Sequence, residues 1–137
     1  MKYYMRQKTI RLKPSQFLKE EIEKIVRDEN IKAGVLLSIV GGLENAKLRM
    51  PGAKPENQVV KEWTGPFEMV AGTGTLSKDG CHIHIALSDK EGRVIGGHLK
   101  DGCVVKKTAE IVLGIFDEIV YKRILYKETG FEELEVE

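Results

Sequence analysis

The chain has 137 residues, 42% apolar and 31% charged, with a formal net charge of +1. This is an ordinary globular composition at the size of one domain, long enough to fold without disulfides or a structural metal. It excludes the basic footprint of a strong nucleic-acid binder, and no apolar run approaches the ~20 residues of a membrane-spanning helix.

Residues 5–12 read as an opening strand, and Pro14-Ser15 as the start of a helix with serine as its cap. Leu18, Ile22, Ile25 and Val26 give that helix one apolar face. Glu20/Lys24 and Glu23/Arg27 make i,i+4 pairs on the other face, and Asn30 ends the helix in the left-handed conformation. Residues 33–42 are β-branched, apolar and closed by Gly41-Gly42, which predicts a buried strand; Leu43 to Met50 reads as another. A loop follows at 51–57, then short strands at 59–63 and 67–76, separated by Gly65-Pro66. His82 to Leu87 and Arg93 to Leu99 flank Ser88-Asp89-Lys90-Glu91-Gly92, which predicts a hairpin. Cys103 to Lys107 and Glu110 to Phe116 read as one strand broken near Thr108-Ala109. Asp117-Glu118 offers a short helix start, but Ile119 to Tyr126 reads equally as a strand, and Phe131 to Val136 as a last one. One long N-terminal helix followed by many antiparallel strands is an α+β domain, taken as a single unit over 1–137.

The three histidines of the chain, His82, His84 and His98, all fall in that hairpin. His82 and His84 stand two apart on one strand, so both rings face the same side. A three-residue loop, Asp89 to Glu91 with Gly92 at the bulge position, puts His82 directly opposite His98 and His84 on the diagonal. One more residue in the loop sends His98 to the opposite face. Three convergent imidazoles suit a divalent metal such as zinc, with one coordination position open. Nitrogen ligands alone do not choose among zinc, nickel, iron and manganese.

Other groups carry weaker signals. Glu68 and Glu110 read either as solvated outward residues or as a base beside the histidines. Cys81 points away from the His82 face, and Cys81 and Cys103 read as small buried apolar residues. Two cysteines and an N-terminus without the apolar core of a secretory signal suggest the cytoplasm. Residues 1–14 hold Lys2, Arg6, Lys8, Arg11 and Lys13 and no acid, either a solvated strand or a patch for an anionic partner.

The segment from His82-Ile-His to Gly92-Arg-Val-Ile-Gly-Gly-His-Leu99, continuing to Thr108-Ala-Glu110, resembles the plant and prokaryote conserved (PPC) domain. Pro66-Phe67-Glu68 and the stretch from Gly34 to Leu43 are similar to further segments of that family. The resemblance implies a mostly antiparallel sheet with a helix packed on it, a homotrimer, and a metal, taken as zinc, on His82, His84 and His98. It also implies a connection with DNA, but the R-G-R-P segment with which plant members enter the minor groove is missing. Three functions follow as expectations: a metal-binding trimeric module acting through protein partners; a metal-dependent hydrolase or lyase with Glu68 or Glu110 as base; and a direct DNA binder using the basic N-terminal strand.

Overall fold

The computed structural model describes residues 4–137. Lys2 and Tyr3, part of the basic N-terminal segment, lie outside the described residues. The chain runs β1 (Met5–Leu12), α1 (Leu18–Asp28), β2 (Gly34–Arg49), β3 (Val60–Ser77), β4 (Gly80–Ser88), β5 (Val94–Leu99), β6 (Val105–Phe116), β7 (Tyr121–Leu125) and β8 (Glu132–Val136). The α+β reading holds, with one correction: the helix is short, 11 residues rather than a long element.

Its shortness has a local cause. Ser15 takes a positive φ of 75°, so it turns the chain instead of capping a helix. Phe17 stands at the N-cap without a side-chain hydrogen bond, and its backbone bridges to Val104. The Leu18 amide is satisfied instead by the carbonyl of Cys103 at 2.9 Å. At the other end Asn30 has a φ of 54°, and Ile31 donates to the Val26 carbonyl, which closes the helix as its asparagine predicts. Leu18, Ile22 and Val26 are fully buried at helical spacing, each worth about 1.5–3 kcal/mol against exposure. The ion pairs on the outer face are Lys19–Glu23 and Lys24–Asp28, not the two expected from sequence, because Glu20 and Glu23 turn to tertiary partners. Glu20 accepts from the Gly102 amide and Glu23 from the Cys81 amide.

Six strands form one sheet in the order β1-β6-β2-β3-β4-β5, and β7-β8 form a separate hairpin. All ladder pairings are antiparallel. Glycines expected to end strands lie inside them. Gly41-Gly42 sits at a register shift within β2, and Gly65-Pro66 sits within β3. Such irregularities bend a long strand without ending it. At Gly41 the strand passes so close to β6 that an added Cβ would lie 2.1 Å from the Thr108 carbonyl oxygen. The predicted break in β6 is also real: Lys107 has a φ of 66°, yet pairing continues on both sides. Asp117-Glu118 begins no helix.

The bends let β2 serve two neighbours on one edge. Its first half pairs with β6, while Leu48 and Arg49 at its end pair with Leu99 and His98 of β5. The succession β2-β3-β4-β5 therefore curls until its last strand meets its first. Leu43, Leu48, Leu76, Ile83, Leu87 and Leu99 are buried inside this curl and beneath α1. The β7-β8 hairpin is tied to the rest by the Tyr121 amide on the Lys32 carbonyl and the Arg123 amide on Asp79.

A candidate metal centre

In β4 the burial alternates: Ile83 and Ile85 point into the core, so His82 and His84 point out of it. The hairpin register then decides where His98 lies. Asp89 and Arg93 close the loop, the Asp89 amide donating to the Arg93 carbonyl, and Lys90-Glu91-Gly92 form the turn with Gly92 at a φ of 79°. The Asp89 carboxylate accepts from the amides of Glu91 and Arg93 and fixes this turn. The loop thus has three residues and a left-handed glycine, but the glycine is its last member and not the residue after it. This moves the pairing by two residues. His84, not His82, stands directly opposite His98. A shift of two preserves the face, so all three rings still share one side.

The rings converge. Their centroids lie 4.9 Å apart for His82–His84, 4.8 Å for His82–His98 and 5.5 Å for His84–His98. The two Nε2 atoms of His82 and His84 face one another at 3.1 Å. One ring nitrogen from each histidine lies within 4.8 Å of the others. Zinc–nitrogen bonds of ~2.0–2.1 Å at tetrahedral angles separate the donors by about 3.3 Å. The His82–His84 edge, at 3.1 Å, is close to that length.

Electrostatics favour the neutral, ligand-competent form. Burial, followed by the charge of Arg49, pushes the His98 pKa down to about 3. Burial, then Arg123, lowers that of His82. Two arginines, neither evident as a site residue from local sequence pattern, surround the triad. The Arg49 guanidinium donates to Nδ1 of His98 at 3.3 Å and lies over the ring of Phe131, 5.3 Å from its centroid. Arg123 donates to the hydroxyl of Thr75, the residue that pairs with His82.

Glu68 and Glu110 are not brought to the histidines. Glu68 pairs with Ser88, four positions along β4 from His84 and so roughly 13 Å away, and it lines a groove of about 700 Å³ with Gly41 and Thr108. Glu110 pairs with Arg11 and Val40 on the far strands. Cys103 is buried in the core, and burial raises its thiol pKa. Burial pushes the Cys81 thiol up to about 12. Neither joins the cluster of His82, His84 and His98. The basic first strand is partly neutralised, Arg6 by Asp117 and Lys8 by Glu29. No helix among the described residues is long and apolar enough to cross a membrane.

Residues 2–117 match the model of the Plants and Prokaryotes Conserved (PCC) domain. The chain belongs to this family. It is 41% identical over 128 residues to the bifunctional protein GlmU of Synechococcus sp. (strain JA-3-3Ab), covering 93% of this chain and 20% of that protein. The chain therefore spans about a fifth of the length of that curated relative. Among solved structures, it is similar to a hypothetical protein from Salmonella cholerae-suis, with a TM-score of 0.92 and 29% identity over 100% of this chain and 96% of the other. It shares its fold with a metal-containing protein from Archaeoglobus fulgidus, with a TM-score of 0.84 and 24% identity over 98% and 96% of the two chains.

Proposed function

We propose that this PCC-domain chain is a metal-binding module that holds one divalent ion, zinc by preference, on His82, His84 and His98. The observation that carries the reading is the convergence of every histidine in the chain on one patch, with a ring nitrogen of each within 4.8 Å of the others. Three neutral nitrogen donors fit a borderline-soft divalent ion with one position left open. A metal bound there supplies a Lewis-acidic position at the protein surface. The protein's own part is to hold the three rings on two paired strands, and the buried Ile83, Ile85 and Leu99 behind them keep those strands in place.

Within one chain, no carboxylate among the described residues hydrogen-bonds to any of the three rings. This favours the module over the hydrolase or lyase. We propose further that the chain assembles as the homotrimer that the family resemblance implies. Leu37, Val40 and Val70 leave apolar side chains on the outer surface of β2 and β3, with 46–55% of each exposed, which supports burial against further copies. Elemental analysis of purified protein tests the metal reading. About one ion per chain in the wild type, lost in His98→Ala, supports it; less than ~0.2 per chain in both overturns it.

A further inference from the structure

We propose that the open metal position is completed by a small oxyanion, a carboxylate or a phosphate, gripped by Arg49 and Arg123. The inference rests on the metal reading above and concerns what else the site binds. It follows first from proton bookkeeping at His98. A guanidinium can only donate, so Nδ1 of His98 is the acceptor in the contact with Arg49. A neutral imidazole has one lone pair. If the metal takes that lone pair, whichever nitrogen it uses, the other nitrogen carries a proton and nothing remains for Arg49 to donate to. Metal binding therefore releases the Arg49 guanidinium at the edge of the site.

The second observation is the charge around the triad. Arg49 reaches it from the end of β2, Arg123 from β7, and Lys100 lies just past the end of β5; against these stands Glu133 of β8, whose carboxylate charge is felt at His82. Among the described residues, neither arginine is ion-paired to a carboxylate. Adding a divalent ion to this set leaves a strong local excess of positive charge in a partly desolvated position. An anion that touches both the metal and the guanidinia removes the excess. The planar fork of arginine suits the paired oxygens of a carboxylate or phosphate. Both arginines are preorganised near this role, Arg49 by stacking on Phe131 and Arg123 by its bonds to Thr75 and Asp79.

Cobalt(II) titrations followed by visible absorption test the inference without any activity. The wild type, Arg49→Gln and Arg123→Gln are each titrated alone, with acetate and with inorganic phosphate. Acetate or phosphate is expected to tighten wild-type cobalt binding about tenfold, a coupling of ~1.4 kcal/mol, and to do so by less than twofold in either variant. Without anion, Arg49→Gln is expected to bind cobalt more tightly than the wild type, since it removes a competing donor and a repelling charge; a merely structural role would weaken binding. Tightening by acetate alone assigns a carboxylate, and by phosphate alone a phosphate. Equal tightening in all three proteins, or none in the wild type, overturns the oxyanion while leaving the metal site standing. A wild type that takes up no cobalt overturns the metal reading and the oxyanion with it.

Discussion

Replacing His98 by alanine separates a metal ligand from a packing residue. The ring is partly buried, and its one polar contact among the described residues is the acceptor bond from Arg49. Losing that bond is worth about 1 kcal/mol in metal-free protein. At ~2.1 cal/mol/K per residue, unfolding 137 residues carries an entropy near 0.29 kcal/mol/K, so the metal-free variant melts about 3–4 °C below the wild type. Zinc changes the comparison. At a free concentration 100 times the wild-type Kd, zinc stabilises the fold by about 2.7 kcal/mol, or ~9 °C. A site with two imidazoles, weaker by about 100-fold, gains only ~0.4 kcal/mol at the same concentration, under 2 °C. The assay is a thermal melt of both proteins with chelator and with buffered free zinc. Equal rises in the two proteins would refute the assignment of His98 as a ligand.

Other consequences are open to measurement. Because the folded pKa of His98 is depressed to about 3 and that of His82 is also lowered, the unfolded chain takes up protons before the native state does. Metal-free protein is therefore fully stable on this account above pH ~6.5 and loses stability as the pH falls toward 3. The loss is roughly 1–2 kcal/mol after allowing for solvent screening, and urea unfolding at pH 7 and pH 4.5 measures it; unchanged stability would contradict it. Gly74→Ala places a Cβ 2.2 Å from the His82 carbonyl oxygen and 2.8 Å from the Ile83 Cα. Both are backbone atoms, so β3 and β4 must part; a loss of about 3 kcal/mol is expected in denaturant unfolding, with weaker metal uptake. Leu48→Ala empties a fully buried position at the closure of β2 on β5 and is expected to cost about 2–5 kcal/mol by the same measurement.

The triad was legible in the sequence because its geometry is local. Two histidines at strand spacing share a face, and any hairpin register that shifts by an even number keeps His98 with them. The direct partner was not legible, because a left-handed glycine can end a three-residue loop or follow one, and only the Asp89 bonds to Glu91 and Arg93 select between these. The fold class came from strand patterning in the same way. The helix is shorter than the sequence predicts because the Ser15 amide bonds to Val105 of β6 and the Phe17 backbone bridges to Val104, which leaves only the Phe17 carbonyl to the first helical turn. Arg49 and Arg123 had no local signal. Arg49 reaches His98 only because bends in β2 carry its end across to β5, and Arg123 reaches Thr75 only because the last hairpin folds back over β3. Such contacts depend on closure between distant segments, which neither periodicity nor spacing encodes.

The most direct test of the central claim is a crystal structure of zinc-loaded protein with an anomalous-difference map at the zinc edge. The account predicts one peak per chain, within about 2.0–2.1 Å of a ring nitrogen from each of His82, His84 and His98, and Arg49 turned away from the His98 ring. A map with no peak there, or with the ion held by other residues, would contradict it.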